Sequence, residues 1–185
     1  MHRARAMELL LEHGLQALQP EEALAVSQTI EFVKAHSDCL LRTCLEGHLT
    51  GSAWILSPDR RQVLLTHHRK LDKWLQLGGH ADGDGDLLAV AVREAREESG
   101  LTGLRVIESS VFDVDRHWIP ERGREPGHWH HDLRFLLEAN PAEPLTVTHE
   151  SKDLAWVDVS AVSGLNPEES MSRMVRKTMV AWPAV

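Results

Sequence analysis

The stretch GGHADGDGDLLAVAVREAREESGL, residues 78–101, decides how this chain reads. Two glycines precede an aspartate-rich loop, an apolar run follows, and then come Glu94, Glu97 and Glu98, closed off by Gly100. On a helix these glutamates stand at i, i+3 and i+4 and share one face, while Leu88, Ala91, Val92 and Ala95 form a separate stripe expected to pack inward. Like charges at this spacing repel. Gly100 reads as a left-handed helix stop, with Leu101 placed for the accompanying apolar contact, so the acids fall in the last turn, where the helix dipole disfavours them. The cluster needs cations: Arg93, four residues before Glu97, or bound ions of the Mg²⁺ class, which take oxygen ligands. A helix over about residues 86–99 with an ion-binding end is one expectation; a merely solvated Glu/Arg face is the plainer one.

On either side of this helix the chain is β-prone. SAWILSP, RQVLLTH and KWLQL precede it, the first two joined by the turn-like Ser57-Pro58-Asp59-Arg60, and LRVIESSVFDVDRHWI, HHDLRFLLEA and LAWVDV follow. Residues 167–182 read as a last helix, and PERGREPG, 120–127, as the most flexible loop. At the start, Leu9, Leu10, Leu11, Leu15 and Leu18 recur at near-helical spacing over residues 3–18, and Pro20-Glu21-Glu22 opens a second helix, proline and acids both suiting a first turn. Residues 1–38 therefore read as a helical extension, and residues 39–185 as a domain of strands interleaved with helices, of the α+β or layered α/β/α class.

Composition narrows the function. With 185 residues, 42% hydrophobic and 26% charged, the chain matches one globular domain with a modest extension. No apolar run approaches the roughly 20 residues of a bilayer span, and the first apolar run is broken by Glu8, Glu12 and His13, so neither membrane insertion nor export is expected. Cys39 and Cys44 have no second pair, which supports neither a disulfide framework nor a zinc knuckle and points to a reducing cytoplasm. A formal net charge of −8 argues against a nucleic-acid surface, and a small anionic ligand would need metal ions to approach.

The stretch resembles the signature of the Nudix hydrolase family: glycine, five residues, glutamate, seven residues, then Arg-Glu-apolar-x-Glu-Glu-x-Gly-apolar. Gly79, Arg93, Glu94, Ala95, Glu97, Glu98, Gly100 and Leu101 fill its positions, and Gly85 stands where the pattern has its first glutamate. The resemblance spans about residues 43–165. It implies an α+β fold, the Nudix-type α/β/α sandwich with mixed β-sheets, carrying the N-terminal helical extension. It also implies Mg²⁺ or Mn²⁺ as cofactor and hydrolysis of a diphosphate linkage in a small molecule, a nucleotide derivative. Within the family Glu97 and Glu98 match metal ligands, Glu94 a ligand or base, Arg93 the arginine that orients them, and the carbonyl of Gly78 a further metal contact. Glu150 resembles an acid that several members use as an extra ligand or base. Arg69, with Lys70 and Lys73 nearby, resembles the arginine aimed at substrate phosphate, and His80 lies in the box loop on the substrate side. Trp118 and Trp129 are placed to stack a base. Many members dimerise, and the extension could serve that.

Gly85 cannot bind metal through a side chain. Asp84 and Asp86 flank it and could substitute in part; the alternative is that they cap the helix. Two rival functions stay open. One is a domain that binds a nucleotide as a sensor without turnover, suggested by the missing glutamate. The other is isopentenyl-diphosphate isomerase chemistry, which GHLTGSAW and GGHADGD resemble in placing histidines before and within the box region, but whose catalytic cysteine would fall at Gly78. In GHWHHD, finally, strand alternation sends His130 and Asp132 to one face and His131 to the other, which weakens a second metal site built from His128, His130 and His131 together and favours a pH-sensitive edge of the substrate pocket.

Overall fold

The computed structural model describes residues 3–16, 18–123, 126–149 and 151–182. Its elements in chain order are α1 (Ala4–His13), α2 (Pro20–Ala35), β1 (Gly47–Leu56), β2 (Gln62–His68), β3 (Lys73–Leu75), β4 (Leu77–His80) and α3 (Leu87–Ser99). There follow β5 (Arg105–Val106), β6 (Asp113–Ile119), β7 (His128–Glu138), β8 (Ser151–Asp158), α4 (Val162–Leu165) and α5 (Glu169–Ala181). The strand order is β3-β2-β1-β7-β5, with β4 on β1, β6 on β7 and β8 on β2. Two expected strands divide: KWLQL into β3 and the start of β4, and the long run after α3 into β5 and β6. Part of the loop expected to be flexible, Arg124 and Glu125, lies outside the described residues.

Contacts group the chain into two compact units. The first holds Met1–Ser52, Gly79–Ala91 and Ser109–Phe135. Here β6 and β7 pair antiparallel, with Asp113 opposite Arg134, Asp115 opposite Asp132 and His117 opposite His130. Arg134 is buried and binds three carboxylates: Nε to Asp132 at 2.9 Å, Nη1 to Asp113 at 3.1 Å and Nη2 to Asp115 at 3.1 Å. Thr50 and Ser52 of β1 donate to the same oxygen of Asp132, at 2.8 and 2.7 Å. Burial alone would disfavour the guanidinium charge, but Asp115, Asp132 and Asp113 outweigh it and hold Arg134 above its usual value.

The leucine stripe of the first helix is narrower than the sequence suggests. Ala6, Leu9, Leu10 and His13 are buried, whereas Leu11, off that face, is 51% exposed and Leu15, beyond the helix end at His13, is 88% exposed. Polar bonds hold α2 in this unit. Glu22, fully buried, takes His13 Nε2 at 2.8 Å and accepts the Val114 amide of β6 at 3.3 Å. Thr29 meets His131 Nδ1 at 2.9 Å, and Phe32 stacks on that same ring.

The second unit holds Ala53–Gly78, Val92–Glu108 and Leu136–Val185. Its centre is β2, paired antiparallel with β1 (Ile55 opposite Leu64), β3 (His67 opposite Trp74) and β8 (Leu64 opposite Trp156). α5 buries Met171, Met174 and Thr178, and Trp54, fully buried, donates its Nε1–H to Thr178 Oγ1 at 2.9 Å.

Two outcomes test this account. Arg134→Met leaves buried carboxylates uncompensated and is expected to cost about 3–5 kcal/mol in denaturant unfolding, the penalty of breaking a buried ion pair. A chain beginning at residue 39 uncovers His131 and the amide of Val114, so it is expected to melt well below the full chain; an unchanged melting temperature and oligomeric state would contradict that.

Candidate functional site

The helix α3 begins on Asp86. Its Oδ1 accepts the Ala89 amide at 3.1 Å and its carbonyl accepts that of Val90 at 3.0 Å, the bonds of an N-cap. Asp84 Oδ1 in turn accepts the Asp86 amide at 2.9 Å. The loop before the helix is tied down within the first unit. Gly83 N donates to Leu40 O, Ala81 N to Leu49 O, and Arg42 grips both carboxylate oxygens of Asp82 at 2.7 Å each.

The buried stripe of α3 differs from the expected one. Leu87, Val90, Ala91 and Ala95 are fully buried, and Leu88 and Val92 only partly. The sequence LLAVAV offers apolar residues on two adjacent stripes, and close approach of β1 selects between them. At Gly51 a Cβ would lie 2.6 Å from Leu87 O and 3.1 Å from Val90 Cγ1. The selected stripe continues into Glu98, which is therefore buried, while Glu94 is partly buried and Glu97 exposed. The helix ends as expected. Gly100 has φ 75°, its amide bonds Arg96 O at 2.8 Å, and Leu101 is buried.

In the second unit the structure brings together Glu98 and Gly78, whose amide donates to Glu98 Oε2 at 3.2 Å, and Arg93 and Glu94, Nη2 to Oε1 at 2.9 Å. Arg69 donates to the carbonyls of His149 at 3.0 Å and Ser151 at 2.8 Å, the residues flanking Glu150, which itself lies outside the described residues. Lys73 is paired with Glu168. In the first unit Trp118, half exposed, meets Trp129 edge to face at 5.2 Å, and Arg116 lies 3.4 Å over the Trp129 ring. His80 packs near His48 and His130, with ring centroids 4.8 and 4.9 Å away. Burial, then the nearby Arg42 and His48, push its pKa down to about 4.

The donor set of the box suits a hard cation. Carboxylate oxygens are the ligands Mg²⁺ and Mn²⁺ prefer, and Mg²⁺ usually takes one or two of them while keeping waters or substrate phosphates. Among the described residues, the groups that bring three donor atoms within 4.8 Å of one another are His48, His128 and His130, and His36, Asp38 and Cys44, neither containing a box glutamate. The first group includes a histidine that the sequence did not connect with the others, because His48 is joined to His128 and His130 only by strand pairing.

Comparison with solved structures places the fold. The chain is similar to an Ap4A hydrolase of C. elegans (17% identity, TM-score 0.56, covering 72% of this chain and 96% of that one). It is similar to the dihydroneopterin triphosphate pyrophosphohydrolase of E. coli (17%, TM-score 0.58, 72% and 95%). It is also similar to the NUDIX domain of Shewanella oneidensis NrtR in complex with ADP ribose (15%, TM-score 0.51, 70% and 84%). No curated protein matches it by sequence. The family model for the NUDIX domain matches residues 48–180, the span that holds the box helix and all eight strands but β1's first residue. With the expected α+β architecture in place and most of its length matched, the chain belongs to the Nudix family.

Proposed function

We propose that this protein is a pyrophosphohydrolase that uses Mg²⁺ or Mn²⁺ to cleave the diphosphate linkage of a nucleoside diphosphate derivative or a related small diphosphate. The observation that carries the reading is the end of α3: a buried Glu98 held against the Gly78 amide, with exposed Glu97 beside it in sequence and Glu94 clamped by Arg93. A carboxylate turned into a buried stripe at the unfavourable end of a helix serves no packing purpose. Glu97 and Glu98 would hold the ion, with Glu94 and the carbonyl of Gly78 as further contacts. Once bound, the ion supplies charge neutralisation at the diphosphate and lowers the pKa of an attacking water.

The remaining roles belong to the chain itself. Arg93 fixes the Glu94 carboxylate, which suits a base that must keep one orientation. Arg69 positions the backbone on both sides of Glu150, the second candidate acid, and is assigned the substrate phosphate as well. Lys73 reaches phosphate by exchanging its partner Glu168. His80 borders the substrate as a neutral ring, and the half-exposed Trp118 beside Trp129 offers a face for a base. Asp84 or Asp86 contributes a carboxylate in place of the one missing at Gly85. Dinucleoside polyphosphates, ADP-ribose, nucleotide sugars and oxidised nucleotides are the substrates to screen, the first two because similar structures act on or bind them. Two free, buried cysteines fit a reducing cytoplasm, and the extension gives a surface for a homodimer.

The sensor reading keeps one observation in its favour, the absent glutamate at Gly85, together with the similarity to a domain that binds ADP ribose. The isomerase reading has only the histidines of GHLTGSAW and GGHADGD in its favour. Gly78 occupies the cysteine position, and burial pushes the thiol of Cys39 up to about 11, far from a reactive thiolate.

In a phosphate-release screen, Glu97→Gln and Glu98→Gln are each expected to lower kcat at least about 10²-fold with the fold intact. No turnover by the wild type on any nucleotide diphosphate, with tight binding of one, would establish the sensor instead. Asp84→Asn is expected to raise the Mg²⁺ concentration for half-maximal rate and Gly85→Glu to lower it. Asp86→Ala is expected to cost about 1 kcal/mol of stability through the lost cap, whatever its effect on the ion.

A further inference from the structure

We propose that His48, His128 and His130, with His80 as a fourth ring, form a second metal centre for a divalent transition ion of the Zn²⁺ class, chemically distinct from the carboxylate site for Mg²⁺. All four belong to the first unit. One donor atom from each of His48, His128 and His130 lies within 4.8 Å of the others. His128 Nε2 and His130 Nε2 are 3.2 Å apart. That matches the edge of a tetrahedron with Zn–N bonds of about 2.0–2.1 Å, which is roughly 3.3–3.4 Å.

The supporting shell points the same way. His128 Nδ1 lies 2.8 Å from the carbonyl of Pro126, so Nδ1 carries the proton and Nε2 presents a lone pair to the cluster. A metal-bound histidine is oriented by this kind of bond. His48 is 2% and His128 4% exposed, so neither donor is presented to bulk solvent. The ring of His48 lies 4.8 Å from each of His80, His128 and His130, and His117 approaches His130 at 5.4 Å. Asp115 Oδ2 lies 3.1 Å from His117 Nδ1.

Hard ions are poor occupants. Mg²⁺ and Ca²⁺ select oxygen, whereas imidazole suits Zn²⁺, Co²⁺, Ni²⁺ and Cu²⁺. Three histidines leave a fourth position, which His80 can fill by a modest ring rotation or leave to water. The competing account is packing alone, in which the rings stay neutral, tilted or edge-on to one another, with His128 and His130 joined by a hydrogen bond, and bind nothing.

Metal-stripped full-length protein titrated with Co²⁺ separates the two. The expected result is one equivalent per chain with the strong visible bands of tetrahedral nitrogen ligation, displaced by Zn²⁺ and untouched by excess Mg²⁺. His130→Asn and His48→Gln are expected to abolish the bands, while Glu97→Gln and Glu98→Gln keep them. Far-ultraviolet circular dichroism checks each fold. Should the histidine variants not fold, histidine side-chain NMR of the wild type decides, Zn²⁺ being expected to shift the resonances of these rings selectively. The proposal is overturned if the wild type shows no tetrahedral bands, if a folded His130→Asn protein retains them, if they vanish in the glutamate variants, or if Zn²⁺ leaves the ring resonances in place.

Discussion

A single buried cation sets the register on which the first unit depends. Arg134 can lose its hydration only because Asp113, Asp115 and Asp132 surround it, and those carboxylates can lose theirs only because of Arg134. The four residues alternate along β6 and β7, so the charge balance closes in one pairing of the strands. A slip by one residue would turn every side chain to the opposite face and leave several charges buried alone. Thr50 and Ser52 extend the constraint to β1 through their bonds to Asp132. The same register places His117 opposite His130 and turns His131 toward Thr29 and Phe32 of α2. One electrostatic requirement thus sorts the histidines into two environments: a ring cluster on one face and a packing partner for the extension on the other.

The box helix shows how far sequence could be read, and where it stopped. The glycine stop and the three acids follow from spacing alone, whereas Arg93, expected to clamp Glu97 four residues on, pairs with the adjacent Glu94. The buried stripe does not follow from spacing, because Leu87 to Val92 is apolar throughout and periodicity cannot choose between neighbouring faces. The choice is made by the backbone of Gly51, distant in sequence and too close to the helix to admit a side chain. Rotating the stripe by one residue carries Glu98 inward, so the difference between an exposed acid and a buried one was decided by a contact the local pattern does not contain.

Elsewhere the limits have similar causes. Strand runs were legible, but their breaks were not: KWLQL and the run after α3 are each split where no glycine or proline marks the division. The extension was legible as two helices, yet Leu11 lies off the face of α1 that buries Ala6, Leu9, Leu10 and His13, and Leu15 lies beyond the end of the helix at His13, so both remain exposed. For Asp84 and Asp86 the sequence allowed both an ion-binding role and a capping role, and the backbone bonds of the cap are formed in either case. Of the histidines, His128 and His130 were visible as neighbours on one strand, whereas His48 and His117 join them only through strand pairing.

The loop between β4 and α3 is pinned along its length: at Ala81 by Leu49, at Asp82 by Arg42, at Gly83 by Leu40, and at its end by the Asp86 cap. Its conformational entropy is surrendered when the chain folds rather than when a ligand arrives. A bound species therefore meets a surface already in its final shape, and its affinity is spared the ordering cost that a free loop would impose. The same pinning links the loop to the segment after α2, so that whatever loosens residues 40–49 reintroduces that cost at the box.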